Sequence, residues 1–148
     1  MKVEKMVRLQ DHLCFSLYAC SRAISRMYRP LLEKMGITYP QYLVLLVLWE
    51  KNESTVKELG DALDLDSGTL TPLLKRMEAG KLIRRERSKE DERVVTVRLE
   101  EAGASLKEEA ACIPLSLLAS SGMSVEEVKS LNETIKVLSD KVAQLSGK

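Results

Sequence analysis

The sequence predicts a mainly α-helical chain that carries one small β-hairpin. Three observations support this fold class: apolar residues at helical spacing near both ends, closely spaced N-terminal capping signals in the middle, and two strand-like runs directly after them. The 148 residues are 45% hydrophobic and 30% charged. This composition is typical of a globular chain with a hydrophobic core, and it excludes extended disorder.

The first 50 residues predict two helices. Between Leu9 and Met27 neither Pro nor Gly interrupts the chain, and an apolar stripe at helical spacing runs through Leu9, Leu13, Leu17 and Ile24. Thr38, Pro40 and Gln41 form a capping signal, so a second helix begins there. Its body, Tyr42 to Trp49, is apolar all round and is expected to be buried.

Two short helices joined by a tight turn are predicted next. Thr55 and Glu58 form a capping box that opens a helix through about Leu63. A second helix is expected to start at Gly68 or Thr69, because Pro72 is tolerated in or beside the first turn, and to end at Gly80. Its buried face consists of Leu70, Leu73, Leu74 and Met77, and its outward face of Thr69, Pro72 and Arg76. Such a pair is a helix-turn-helix candidate.

A β-hairpin follows the helix pair. Residues 82–87 and 93–99 have strand character, and the charged residues 88–92 form the tip, or wing, between them. Residues 75–98 hold nine basic and five acidic side chains, a net charge of +4 in a chain whose total is +1. The order of elements predicts a winged helix-turn-helix.

The C-terminal part predicts further helices. Helical character resumes over 100–119, with a bend near Pro114, and breaks at residues 120–122 before Ser124 caps a last helix. The last helix carries a heptad-like seam of Val128, Leu131, Ile135, Leu138, Val142 and Leu145. A narrow seam needs a partner helix, so we expect the N- and C-terminal helices to pack together and form a homodimer.

We therefore divide the chain into a dimerisation region at residues 1–36, a DNA-binding lobe at 37–100 and C-terminal dimerisation helices at 101–148. The second helix of a helix-turn-helix places its N-terminal part in the major groove. The candidates for DNA contact on that helix are Ser67, Gly68, Thr69, Thr71 and Arg76.

The wing adds Arg87, Asp91 and Arg93 to the candidates for DNA contact. Arg93 is the candidate for insertion into the minor groove, and Asp91 is placed to orient its guanidinium group. A hairpin of this composition taken alone is more often an ordinary solvated loop. The helix pair before it and the local positive charge favour DNA binding.

Three cysteines, Cys14, Cys20 and Cys112, show neither a disulfide pattern nor zinc-type spacing, and no metal or cofactor is expected. Tyr18 lies one helical turn after Cys14, where a phenol can donate to a thiolate, the form that attacks peroxides. The alternative is that Cys14 only fills a helix interface. Cys20 and Cys112 are assigned to packing. His12 is expected to point away from Cys14, so no His–Cys pair is predicted.

The segment LDSGTLTPLLKRMEAGKLIRRERSKEDERVVTVRLEEAG resembles the reading helix and wing of MarR-type transcriptional repressors, and Asp91-Glu92-Arg93 matches the DxR element of that family. The resemblance covers nearly the whole chain. The segment LCFSLYACSRAISRMYRPLLEKMGITYPQY is similar to the organic-hydroperoxide-sensing branch, usually called OhrR. The resemblance implies DNA contacts by Gly68, Thr69, Arg76 and Arg93.

The same resemblance implies that Cys14 is the peroxidatic sensor and that Tyr18 and Tyr28 hold it by hydrogen bonds, Tyr28 from the partner subunit. Oxidation takes the thiolate to sulfenic acid, which another thiol captures. Some relatives carry a resolving cysteine where this chain has residues 119–121, Ala-Ser-Ser. A one-cysteine sensor that uses a small external thiol is therefore expected.

The predicted function is that of a cytoplasmic, non-enzymatic repressor that binds an inverted-repeat operator in double-stranded DNA and leaves it when an organic hydroperoxide oxidises Cys14. No leader or membrane span is apparent. One alternative is a MarR-type repressor that is released from DNA by a small aromatic ligand. The ligand would bind between the dimerisation helices and the DNA-binding lobe. A second alternative, a thiol peroxidase, is disfavoured because the sequence has no cysteine pair that could recycle the oxidised thiol. A third, a protein that only binds other proteins, would leave the wing and Arg76 without a role.

Overall fold

The computed structural model describes residues 8–145, and it confirms a mainly helical fold with one small antiparallel sheet. In chain order the elements are α1 (Leu13–Lys34), α2 (Tyr39–Lys51), β1 (Glu53–Thr55), α3 (Val56–Leu63), α4 (Ser67–Ala79), β2 (Ile83–Arg87), β3 (Val95–Leu99), α5 (Glu101–Ala110), α6 (Cys112–Ser121) and α7 (Val125–Leu145). The chain forms two compact units, within residues 1–111 and 112–148.

The first helix begins and ends later than the sequence predicted. Leu9 lies in a short 3₁₀ turn, and His12 has an extended backbone, with φ −92° and ψ 109°, so the α-helix starts only at Leu13. It then continues through Pro30, which removes one backbone hydrogen bond without ending the helix. The apolar stripe therefore spans two elements rather than one.

Side-chain caps fix the starts of the next three helices. The Thr38–Gln41 capping box opens α2, and Thr55 accepts a hydrogen bond from the Glu58 N–H at 3.1 Å to open α3. The α4 helix begins at Ser67, earlier than predicted, because Asp66 accepts the Thr69 N–H at 2.8 Å. The predicted face of α4 is buried, and it meets the core of this unit, which includes Leu45, Leu48, Leu59, Ile83 and Val97.

The sheet has the strand order β1-β3-β2, with both pairs antiparallel. Strand β1 was not predicted, and it places Ser54 opposite Val97. The hairpin strands are shorter than expected, so the wing tip covers residues 88–94. Behind the hairpin, a Cβ atom on Gly103 would overlap the carbonyl oxygen of Leu82, and the Trp49 indole donates to the Gly103 carbonyl at 2.9 Å.

The second unit consists of α6 and α7. The helix is interrupted near Pro114, as predicted, with the break at Ala111. Pro114 itself occupies the first turn of α6, where its missing N–H costs no helical hydrogen bond. Gly122, at φ 69°, ends α6, and Ser124 and Glu127 form a capping box before α7. Within the described range 8–145, no helix combines the length and apolar character that crossing a membrane requires.

Candidate nucleic-acid interface and thiol site

The start of α4 presents backbone N–H groups on an exposed surface. Ser67, Gly68 and Thr69 are exposed there, and a Cβ atom on Gly68 would contact only the Asp66 carboxylate, at 3.4 Å. Because a Cβ atom here would meet no other atom of residues 8–145 within 4 Å, its chain neighbours and own helix backbone aside, the space above Gly68 is available to an outside group. A helix start of this kind favours an anion such as phosphate.

The wing tip is an ordered turn. The Ser88 hydroxyl accepts hydrogen bonds from the backbone N–H groups of Glu90 and Asp91, and the Ser88 N–H donates to the Val94 carbonyl at 2.8 Å. At the base of the tip, the Arg87 guanidinium donates to the carbonyl of Glu92 at 2.7 Å. These contacts give the tip a defined shape.

Arg93 projects from the tip with a fixed direction. Its Nε and one terminal nitrogen donate to the two oxygens of Asp91 at 3.1 and 3.3 Å, while the side chain remains 90% exposed. The hydrogen bonds from the Arg93 side chain and backbone hold the pKa of Asp91 below its usual range. The carboxylate thus orients a guanidinium group that stays accessible to a partner.

A groove of about 800 Å³ separates α3 and α4 from the wing. Five of the predicted DNA-contact residues line it, namely Ser67, Thr71, Arg87, Asp91 and Arg93. Gly68, Thr69 and Arg76 are outside this lining and exposed. Lys57 of α3 also lines the groove and was not among the predicted DNA-contact residues. Its position two residues after the Thr55 cap, in the first turn of α3, could have indicated it.

The basic charge of the hairpin is partly neutralised at its base. Arg85 binds the Glu78 carboxylate at 3.0 Å, and its backbone N–H donates to the same group, so the pKa of Glu78 lies below its usual value. Arg84 and Arg98 also form ion pairs, with Glu86, Glu100 and Glu53. Among the basic side chains of residues 75–98, those without an ion pair in the described structure include Lys75 and Arg76 on α4 and Lys89 at the wing tip.

The thiol of Cys14 lies beside a histidine, which corrects the prediction that His12 points away. The His12 Nδ1 is 2.7 Å from the Cys14 Sγ, and Nε2 is 4.0 Å from it. Sequence reasoning placed both residues in one helix, where positions two apart diverge. His12 instead precedes the helix with an extended backbone, so its ring folds back onto the first turn. Cys14 itself is exposed in the single chain.

The two predicted tyrosines occupy different environments. Tyr18 is 60% exposed, and the Arg22 guanidinium lies 5.5 Å from the centre of its ring. Tyr28 is buried beside Tyr39, and burial, followed by the charge of Tyr39, raises the pKa of Tyr28. Within the single chain, the hydrogen bonds described for Cys14 go to His12 rather than to either phenol.

The remaining cysteines do not fill the core. Cys20 and Cys112, which were assigned to packing, are both exposed in the single described chain. Between residues 8 and 145, no three His, Cys, Asp or Glu side chains are grouped as a metal ion would require.

Comparison with known proteins identifies relatives over nearly the whole length. Residues 26–110 match the family described as transcriptional regulator SarA/Rot. An organic hydroperoxide resistance transcriptional regulator of Bacillus subtilis (strain 168) is 52% identical over 138 residues, which are 93% of this chain and 94% of that protein.

Two solved structures extend the comparison, both of AbfR, a protein of Staphylococcus epidermidis. Reduced AbfR bound to DNA matches with a TM-score of 0.77 at 39% identity, over 96% of this chain and 99% of that one. Overoxidised AbfR bound to DNA matches with a TM-score of 0.74 at 40% identity, over 95% and 98%.

Proposed function

The chain belongs to the MarR family of transcriptional regulators, in its OhrR-type branch, and we propose that it is a repressor whose operator binding is controlled by oxidation of Cys14. Its relatives and its fold are those of DNA-binding regulators rather than enzymes. The proposed partner is double-stranded DNA with an inverted repeat, and the proposed effector is an organic hydroperoxide.

The observation that carries the DNA-binding proposal is the groove between α4 and the wing. It is lined on one side by the start of the reading helix and on the other by the Asp91–Arg93 pair. In this arrangement the helix start enters the major groove, while Arg93 reaches the flanking minor groove. The reduced relative AbfR is bound to DNA and matches nearly the whole chain, which supports this assignment.

Homodimer formation is proposed from the exposed apolar faces. The α7 seam leaves Leu131, Ile135, Leu138 and Val142 between 36% and 56% exposed, and α1 exposes Leu13 and Phe15. Apolar surfaces of this extent on a single chain mark an interface. A dimer also presents two reading helices, and two-fold protein symmetry fits an inverted repeat in the DNA.

Cys14 is proposed as the sensor because an exposed thiol at a helix start is accessible and lies where anions are favoured. Its thiolate attacks a hydroperoxide and becomes sulfenic acid, and a small thiol then displaces water to form a mixed disulfide. Overoxidised AbfR is bound to DNA, so the form proposed to release the operator here is the mixed disulfide.

The test compares the wild type with Cys14→Ser by fluorescence anisotropy on an inverted-repeat duplex selected from a random pool. Cumene hydroperoxide is added with and without a small thiol. Release of the wild type only when both reagents are present supports the proposal, and Cys14→Ser retains the duplex. Retention of DNA by both proteins would overturn the sensing role while leaving DNA binding intact.

A second candidate is a repressor released by a small aromatic ligand. The groove of about 800 Å³ has Leu65, Leu70 and Val94 among its lining, so it offers apolar surface beside charged groups. A ligand held there would occupy the space proposed for DNA and compete with it directly. In that case Cys14→Ser would respond to the ligand as the wild type does, and hydroperoxide would release neither protein.

A further inference from the structure

The imidazole of His12 and the thiol of Cys14 form a pair that the proposed function does not use. The 2.7 Å between Nδ1 and Sγ places these two atoms in direct contact, and the second ring nitrogen is 1.3 Å farther from the sulfur. The ring is therefore turned with Nδ1 toward the sulfur. Since His12 makes no side-chain hydrogen bond to the start of α1, its ring is not needed as a helix cap.

Within the single chain, the neighbouring charged and phenolic groups described on either side of this pair have contacts of their own. The nearest charged groups described on the preceding turn, Arg8 and Asp11, pair with each other at 3.8 Å. Tyr18, one helical turn after Cys14, has Arg22 against its ring. Within residues 8–145 His12 forms no ion pair with a carboxylate. In the single chain the imidazole is thus placed to exchange a proton with the thiol, and both side chains are exposed there.

We infer that His12 is the proton acceptor that activates Cys14 toward hydroperoxide. This inference rests on the proposed sensing function and adds a residue to it. The Nδ1 atom takes the S–H proton, and the thiolate attacks one oxygen of the hydroperoxide. An S–O bond forms as the O–O bond breaks, the electron pair leaves with the alkoxide, and the imidazolium returns a proton to it. Cys14 is oxidised to sulfenic acid, and the hydroperoxide is reduced to an alcohol.

Two reactions at Cys14 separate this role from the sensing proposal. Iodoacetamide alkylation reports the thiolate alone, whereas oxidation by cumene hydroperoxide reports the complete step. Both rates are measured at pH 7 for the wild type, His12→Gln and His12→Ala, with peptide mass spectrometry resolving Cys14 from Cys20. Cys20 is exposed on the same helix and serves as the internal control. Anisotropy with the duplex verifies that each variant folds.

We expect both variants to react about tenfold more slowly at Cys14 in both reactions, with Cys20 unchanged. A free thiol is only about 3% thiolate at pH 7, so complete deprotonation raises the rate by about 30-fold at most. Free imidazole is expected to restore part of the rate in His12→Ala, because it supplies the missing proton acceptor. Glutamine can hydrogen-bond to sulfur without accepting its proton, so His12→Gln stays slow.

Wild-type rates in both variants would overturn the inference. A normal rate in His12→Gln together with a slow His12→Ala that imidazole does not rescue would also overturn it, because His12 then only holds the thiol in place. A third outcome is that alkylation depends on His12 while hydroperoxide leaves wild-type Cys14 unmodified. This result would support activation of Cys14 by His12 and would overturn the proposed sensing of hydroperoxide.

Discussion

At the scale of single residues, local hydrogen bonds decide which charges are available for binding. Arg84, Arg85 and Arg98 lie in the same hairpin as Arg93, yet their guanidinium groups are held by carboxylates along the sheet. Arg93 also has a carboxylate partner, but that partner lies behind it and leaves the side chain exposed. An accessible and oriented guanidinium suits a narrow minor groove.

Replacement of Arg93 by alanine tests this distinction. Arg93→Ala is expected to weaken operator binding by about 1–3 kcal/mol, because it removes one oriented cation from the groove. Arg84→Ala is the matched control, since Arg84 is paired with Glu86 and Glu100. Anisotropy titration at fixed salt measures both. Equal affinities of Arg93→Ala and the wild type would remove Arg93 from the interface.

Substitution of Gly68 by alanine is expected to change the stability of the fold and the affinity for DNA in opposite directions. An added Cβ finds space inside the chain, so Gly68→Ala is expected to stabilise the fold by about 0.5–1 kcal/mol. The same methyl group obstructs a phosphate at the helix start, and operator binding is expected to weaken by about 1–3 kcal/mol.

Urea denaturation and anisotropy on the same Gly68→Ala sample measure the two effects. Gly103→Ala is the contrasting variant, because there the methyl group would overlap the Leu82 carbonyl and the fold loses stability. If Gly68→Ala binds the duplex as tightly as the wild type, the backbone at this position does not approach DNA.

At the scale of elements, the reading helix and the wing are joined by a specific contact. Glu78 near the end of α4 accepts hydrogen bonds from both the backbone and the side chain of Arg85 in β2. On the other side, β1 pairs with β3 and runs directly into the Thr55 cap of α3. The helix pair and hairpin are therefore linked at two places, which fixes the width of the groove.

The contact between Glu78 and Arg85 predicts a pH-dependent contribution to stability. Because the pKa of Glu78 is lowered from 4.5 in the folded state, the contribution is present above that pH and is lost as pH falls through the lowered value. Glu78→Gln is expected to cost about 0.5–1 kcal/mol at pH 7, since the pair is partly exposed.

Urea denaturation at pH 7 and at pH 3 measures this contribution, and the difference from the wild type is expected to shrink at pH 3. Glu90→Gln at the wing tip is the control, because the structure gives the Glu90 side chain no ion pair. A Glu78→Gln difference that persisted unchanged at pH 3 would show that the ionised carboxylate is not its source.

The elements also show what the sequence can and cannot reveal. Apolar spacing identified the buried face of α4 correctly, because Leu70 to Met77 repeat with the period of a helix. Strand β1 was missed because three residues are too few for alternation to be recognised. The His12 contact was missed because α1 begins only at Leu13, and the extended backbone of His12 turns its ring toward Cys14. The Asp91–Arg93 contact was anticipated because it depends only on neighbours in the chain.

At the scale of the whole molecule, the exposed seam of α7 makes the oligomeric state a testable property. Leu138→Glu places a carboxylate in the seam and is expected to shift the protein to monomers at micromolar concentration, because an unpaired charge is costly in an apolar interface. DNA binding is expected to weaken as well, since the two reading helices are then no longer coupled.

Analytical ultracentrifugation of Leu138→Glu measures the first effect, and anisotropy with the inverted repeat measures the second. Lys136→Glu adds a carboxylate to α7 outside the seam and is the matched control. A Leu138→Glu protein that sediments as the wild type does would exclude α7 from the interface.

The strand order β1-β3-β2 has a consequence for the behaviour of the protein at high concentration. Strand β3, which has the most apolar residues, is central: β2 pairs along its whole length on one side, and β1 pairs with residues 96–98 on the other. In the part of the chain that the structure describes, the outer edges belong to β1, which is three residues long, and to β2, whose middle is occupied by charged side chains. Short and charged edges oppose strand-to-strand polymerisation. Many copies crowded together therefore resist the edge-to-edge aggregation that leads to amyloid-like fibres.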